Sequence, residues 1–339
     1  MIDTSLRVHD LRKRFGGTVA LDGVSLEIPR GTLTGLVGSD GAGKTTLIRI
    51  VAGLERADSG VVELFPDSRE HRRRNEPIIG RVLPRWHRSQ GAQPAVGYLS
   101  QGFSLYSDLS INENMQFFAS LYGVTDYNDR ATRLLTLVGL EPFRTRRAGK
   151  LSGGMKKKLA LACALIHEPR LLLLDEPTTG VDPVSRREFW SILSRLQHDG
   201  MSVLLATPYF DEAERCDHIV LMHAGHAIES GSPDVVAATT PGTMFEVVCS
   251  AVKQVRTALT GDPRITEVQL YGDRVHVRTK DTEAAADSKV ALDVVIRLLL
   301  SEAGISVQSM REIRPSLENA FIAHMSERME AHSSEKEAS

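Results

Sequence analysis

Short, nearly unbroken apolar runs alternate with helix-period segments along the first two thirds of the chain. The clearest runs are VSLEI from Val24, LTGLV from Leu33, LLLLD from Leu171 and SVLLA from Ser202. The last three have almost no polar face, which predicts strands buried on both sides, as in a parallel sheet covered by helices. Between about 108 and 167 the period becomes helical: Leu134, Leu135 and Val138 form one stripe, and Leu159, Ala162, Cys163 and Ile166 another. A helical subdomain inserted in an α/β core is expected there. From Pro233 to Thr243 the chain turns small and polar, which places a domain boundary near residue 240. Beyond it the patterns predict strand (Met244 to Cys249), helix (Val252 to Leu259), strands (Ile265 to Leu270 and Arg274 to Arg278), helix (Lys289 to Leu300) and strand (Ile305 to Arg311). This βαββαβ order over 241–325 is the ferredoxin-like arrangement. A last helix after Pro315 is expected to bury Leu317, Phe321 and Ile322, and the charged tail 326–339 to be disordered.

Composition narrows the classes. The 339 residues carry a net charge of −2, which argues against a nucleic-acid partner. No apolar run reaches the 18 or so residues of a membrane-spanning helix, the best candidate, Val294 to Leu300, being broken by Arg297. The N-terminal MIDTSLRVHD lacks a secretory pattern, so a cytoplasmic location is expected. Cys163, Cys216 and Cys249 are widely spaced without a CxxC pair, and are read as buried free thiols. The segment Phe65 to Pro94 holds seven arginines without periodicity. It reads as a solvated insertion, or as a basic contact for anionic headgroups or a partner.

Chemistry enters at GSDGAGKTT: Gly38, Ser39, Asp40, Gly41, Ala42, Gly43, Lys44, Thr45 and Thr46. It fits G-x-x-x-x-G-K-[ST] between an apolar strand and a helical pattern. The glycines let backbone N–H groups turn inward around an oligophosphate, and the helix N-terminus adds partial positive charge. Lys44 would reach the β- and γ-phosphates, and the Thr45 hydroxyl would ligate Mg²⁺. About 130 residues later, LLLLDEP puts Asp175 and Glu176 at the end of a buried strand. Two acids there are costly without a cation. Asp175 would hold Mg²⁺ through its water shell, and Glu176 would polarise the water attacking the γ-phosphate.

With LSGGM, Leu151, Ser152, Gly153, Gly154 and Met155, the chain resembles the ATP-binding subunits of ABC transporters over roughly Leu6 to Gly231. The resemblance implies a P-loop NTPase core and an ATPase that uses ATP and Mg²⁺. It also implies that LSGGM caps the γ-phosphate of an ATP held by a second ATPase subunit. Phe15 stands where an aromatic ring stacks on adenine, and Gln101 matches the glutamine that touches Mg²⁺ and the attacking water and senses the membrane partner. Asp182 matches the aspartate that communicates across the dimer. The segments LYSDLSINEN, YFDEAERCD and RPSLENAFIAHM are most similar to multidrug or antibiotic exporters with ABC-2 type permeases, and to the N-terminal half of tandem-ATPase members. The implied contact with the membrane is through that permease, at its cytoplasmic face.

The resemblance fails at one position. Thr207 is followed by Pro208, where the family has a switch histidine that hydrogen-bonds the γ-phosphate. Proline has neither a side-chain donor nor a backbone N–H. Losing such a donor in the transition state should cost about 2.7 to 4 kcal/mol, or 10²- to 10³-fold in rate, while ATP binding survives. His218, expected at a helix-to-strand junction, and His223, expected beyond the next strand, are poor substitutes. The chain is therefore either the weak-site half of an asymmetric pair or a slow homodimer. The alternatives of another class are a non-transport ABC ATPase and a regulatory one in which ATP only clamps the dimer.

Overall fold

The computed structural model describes residues 3–66, 96–102, 105–280 and 289–326. The expectations for the arginine-rich insertion from residue 67 onward and for the tail beyond 326 lie outside the described residues. Contacts divide the chain into two units, one ending at Pro233 and the other beginning at Asp234.

The first unit is built on a six-stranded sheet. In chain order its strands are β3 (Leu33–Val37), β5 (Val96–Leu99), β6 (Leu171–Asp175), β7 (Ser202–Thr207), β8 (His218–His223) and β9 (His226–Gly231). They lie in the order β5-β6-β7-β3-β8-β9. All neighbours are parallel except the closing β8–β9 hairpin. Strands β3, β6 and β7 are buried along their whole length, as their continuous apolarity requires. Each fully buried leucine in them contributes roughly 1.5–3 kcal/mol of transfer free energy. In this topology β3 sits between β7 and β8, so the ends of β3, β6 and β7 open on the same edge of the sheet, where open α/β sheets bind ligands.

A second, antiparallel sheet packs on this one through α1 (Lys44–Val51). It comprises β1 (Thr4–Phe15), β2 (Thr18–Pro29) and β4 (Ser59–Leu64), in the order β2-β1-β4. Leu6, Leu21, Leu47, Ile48, Leu204 and Val220 belong to the shared core. The apolar runs carried little signal for β1, whose alternation is interrupted by charged residues and by bulges between Val8 and Leu11 and beyond.

The helical segment consists of α2 (Ile111–Leu121), α3 (Tyr127–Leu137) and α4 (Gly153–Leu165). A capping box starts α2: the Glu113 amide donates to Ser110 Oγ at 3.2 Å, and the Ser110 amide to Glu113 Oε2 at 2.7 Å. Two more helices complete the unit, α5 (Pro183–His198) and the short α6 (Phe210–Ala213). The three cysteines are free and buried, and burial pushes the Cys216 thiol up to about 12.

A short helix, α7 (Pro233–Ala238), stands at the boundary. The second unit has β10 (Met244–Cys249), α8 (Val252–Leu259), β11 (Ile265–Tyr271), β12 (Arg274–Thr279), α9 (Lys289–Glu302) and β13 (Val307–Ile313). The strands form an antiparallel sheet in the order β11-β12-β10-β13, the ferredoxin-like topology. Val247, Val255, Leu259, Val275, Val277 and Ile296 form its core. The last strand begins two residues later than its apolar pattern predicts, because Gly304 and Ile305 close the end of α9. In the final helix, 317–326, Leu317 and Phe321 are buried, but Ile322 is only half-buried. That is a correction, and its cause is helical geometry: residue 322 falls beside the stripe through 317, 320, 321 and 323.

Candidate functional site

The loop from Gly38 to Gly43 turns out of β3 and into α1. Close packing dictates its glycines: a Cβ on Gly38 would lie 2.0 Å from the Met222 carbonyl oxygen, and one on Gly43 2.5 Å from that of Ala20. Gly43 occupies the N-cap of α1 at φ +99° without a side-chain cap. The first amides of the helix are therefore left to backbone or ligand acceptors. Ser39, Asp40 and Gly41 are exposed at the crest, while Ala42 is buried. Lys44 is buried, and its ammonium donates to the carbonyls of Gly38 at 2.7 Å and Ser39 at 2.9 Å. Burial lowers its pKa, opposed by the charges of Glu176, Asp40 and Asp175.

Strand register brings the acidic pair to this loop, with Asp175 pairing Ala206 and Val37 pairing Thr207. Thr45 Oγ1 donates to Asp175 Oδ1 at 2.8 Å. The second oxygen, Oδ2, is buried without a hydrogen-bond partner. Burial raises the Asp175 pKa, while the Thr45 hydroxyl and then the Arg49, Lys44 and Lys157 charges oppose the rise. An orphaned carboxylate oxygen beside a hydroxyl is a donor set that suits a hard divalent cation retaining several waters. Among the described residues no cluster of three His, Cys, Asp or Glu adds to it.

Glu176 follows at φ +47°, a left-handed conformation that costs a non-glycine residue on the order of 1–3 kcal/mol. Its amide donates to the Ala206 carbonyl at 3.0 Å. Its Oε2 accepts from Gln101 Nε2 at 3.0 Å and from Thr179 Oγ1 at 3.3 Å. Gln101 is thus joined to Glu176 and not to the Thr45–Asp175 pair, where a metal ligand was expected. Sequence reasoning missed a second link. The buried Lys157 of α4 donates to the Gln101 carbonyl at 2.7 Å. Burial lowers its pKa, against the attraction of Asp175 and Glu176. Its three-lysine run gave no signal that the middle one points inward.

The start of α4 lies open. Ser152 caps it, with Oγ accepting from the Met155 amide at 3.3 Å, and Ser152 and Gly153 are exposed between buried Leu151 and Gly154. A Cβ on Gly154 would lie 2.3 Å from Ser185 Oγ, so this glycine lets α4 approach the start of α5. Asp182 caps α5, accepting from the Val184 and Ser185 amides at 3.1 and 2.9 Å. Phe15, about half exposed, ends β1 opposite Thr18, with the Lys13 ammonium 4.9 Å from its ring centre. The chain leaves β7 through Pro208 and exposed Tyr209. His218 and His223 are the first and last residues of β8, so His223 closes that strand and does not lie beyond it.

The family profile described as "ABC transporter" matches residues 21–179. The daunorubicin resistance ATP-binding protein DrrA3 of Streptomyces coeruleorubidus is 35% identical over 325 residues, covering 95% of this chain and 96% of that protein. The chain belongs to the ABC transporter ATP-binding family. A further ABC relative, the probable multidrug ABC transporter ATP-binding protein YbhF of Escherichia coli (strain K12), is 38% identical over 330 residues. The match covers 95% of this chain and 52% of YbhF, so the chain spans about half that relative's length. Among solved ABC cassettes, cbiO1 from Clostridium perfringens superposes with a TM-score of 0.56 at 27% identity, over 76% of this chain and 96% of that one. An ATP-binding subunit of an ABC transporter gives 0.56 at 28% identity, over 69% and 92%. The ABC profile takes in the phosphate loop, Gln101, LSGGM and the acidic pair, and leaves Phe15, Asp182 and Pro208 outside.

Proposed function

We propose that the chain binds Mg-ATP and couples its hydrolysis to a membrane exporter of small molecules, as one of two ATP-binding chains. The observation that carries the reading is the pairing of an exposed Ser152–Gly153 helix start with a separate loop-and-carboxylate site in the same chain. Such a helix start suits an anion presented from outside, so each chain would complete a partner's site. Phe15 would stack on adenine, and the amides of residues 38–46 would hold the phosphates, with Lys44 exchanging its carbonyl partners for phosphate oxygens. Thr45 and Asp175 would hold Mg²⁺, with Gln101 reaching it on closure. When bound, that ion would neutralise phosphate charge. Glu176, aimed by Gln101 and Thr179, would polarise the attacking water. Asp182 would stand at the chain-to-chain contact.

Among the described residues no helix is long and apolar enough to cross a membrane. Membrane attachment would come through an ABC-2 type permease, which would place the chain at the cytoplasmic face. An exposed patch of Tyr106, Phe117 and Leu121 beside the Gln101 loop suits an apolar partner. Tyr106 and Phe117 pack edge to face at 4.6 Å, and Asn114 pins the loop by accepting from the Tyr106 amide at 3.0 Å. Pro208 would make this chain's own site the slower one of the pair. The test is nucleotide affinity and steady-state hydrolysis of the purified chain, alone and with a co-expressed second ATPase, using Glu176→Gln as the blank. Failure to bind ATP sinks the reading. Binding with turnover that rises on adding the second chain supports the asymmetric pair.

A further inference from the structure

One buried carboxylate near the site has no place in the machinery described above. Glu212, on α6, is 1% exposed. Its Oε1 accepts from Thr178 Oγ1 at 2.6 Å, and its Oε2 from Thr207 Oγ1 at 2.8 Å. Both threonines are themselves buried at 1%. Among the described residues its ion-pair partner is Arg186, with Nε 3.7 Å from Oε1, too long for a hydrogen bond. A buried carboxylate held mainly by two neutral hydroxyls contributes little net stability. What it supplies is geometry, because Thr178 lies two residues beyond Glu176 and Thr207 ends the strand beside it.

Besides the Gln101 and Thr179 contacts to its carboxylate, two tethers run from the left-handed Glu176 turn to β7. The first is its own amide, bonded to the Ala206 carbonyl at 3.0 Å. The second is the chain Thr178–Glu212–Thr207, which ties the turn after Glu176 to the residue following Ala206. Thr207 Oγ1 also accepts from the Tyr209 amide at 3.1 Å, so the turn closes across Pro208 without using a proline N–H. A strained residue persists only where its surroundings over-determine it.

We propose that Glu212 is a positioning residue: its two-threonine clamp keeps Glu176 aimed for water activation at a site that lacks a switch side chain. The proposal rests on the reading of Glu176 as the water-polarising carboxylate. The experiment uses the full chain with Glu212→Gln, Thr207→Val and Thr207→Ser, measuring amide hydrogen exchange, ATP affinity and single-turnover ATP cleavage. Glu212→Gln and Thr207→Val should speed exchange at 176–179 about tenfold while β3 and β6 stay protected. Cleavage should slow about tenfold or more at unchanged ATP affinity, and Thr207→Ser should restore both readouts.

Unchanged exchange at 176–179 overturns the clamp. So does faster exchange spread evenly over the sheet, which would make Glu212 a stability residue only. If Glu212→Gln does not fold, the Thr207→Val and Thr207→Ser pair tests the same contact. A wild-type chain that cleaves no ATP would count against the function read for Glu176, and the exchange data would still decide the clamp.

Discussion

The six-stranded sheet of the first unit and the four-stranded sheet of the second treat their acidic side chains in opposite ways. At the end of β6 in the parallel sheet, Asp175 is buried with one oxygen unpaired, and Glu176 is held in a strained backbone conformation. On the polar face of the four-stranded antiparallel sheet of the second unit, Glu246 and Glu267 are paired. Glu246 bonds Arg274 at 3.0 Å and Arg311 at 2.9 Å, and Glu267 bonds Arg278 at 3.0 Å. Arg311 first, then Arg274, hold the Glu246 carboxyl below its ordinary range. Burial instead raises that of Asp175. A domain that completes its own ion pairs has spent them on its architecture, whereas an orphaned buried oxygen marks a place kept for something that binds.

The sharpest way to break this contrast is the same substitution in both sheets. Glu176→Gln should reduce ATP turnover by about 10²- to 10³-fold with ATP still bound, measured by phosphate release and nucleotide affinity. Glu246→Gln should leave turnover as it is and lower only the thermal midpoint of the second unit. Equal effects on turnover would erase the distinction. Next in size, Pro208→His should restore a donor beside the Glu176 turn and raise turnover of the chain alone by about 10- to 100-fold. No change there would mean that the missing side chain does not limit this site.

Lys157→Met keeps an apolar stem in α4 and removes the ammonium that holds the Gln101 carbonyl. It should slow turnover about tenfold at unchanged ATP affinity, since Gln101 would no longer be fixed against Glu176. A pure loss of stability with normal turnover would remove Lys157 from the site. The smallest effect lies in the second unit, where Arg264 holds the Asp262 carboxyl down to about 2. A depressed carboxylate adds stability that is complete above its ordinary pKa and is lost as pH falls toward 2. Arg264→Ala should raise the Asp262 pKa part of the way toward the ordinary aspartate range by NMR titration, because the residue-264 amide still donates to Oδ1 at 2.9 Å, and should reduce that acid-side stability.

Much of the site could be read from local pattern because its chemistry is local. The loop 38–46 needs consecutive residues between one strand and one helix, and the runs LTGLV and LLLLD display burial on both faces directly. The ferredoxin-like order was legible for the same reason, each element having its own period. What escaped was non-local. Of the β1–β2–β4 sheet only VSLEI, within β2, showed as a strand; β1 hid behind charged residues and bulges. Lys157 sat inside a run of three lysines of which only packing decides which one turns in. Glu212 lies in a helix of four residues, and its partners Thr178 and Thr207 look ordinary until β6 and β7 are laid side by side.

The sequence by itself determined that the chain has a phosphate loop, a two-acid strand end, a helix start able to meet an anion and a proline after Thr207. Each is a property of a few adjacent residues and their backbone preferences. Only the tertiary structure decided that Gln101 meets Glu176, that one Asp175 oxygen is left unpaired, and that a carboxylate from α6 ties two strand ends together. Those facts depend on the parallel register that brings residues more than thirty positions apart within hydrogen-bond distance, and strand order is a property of the whole sheet.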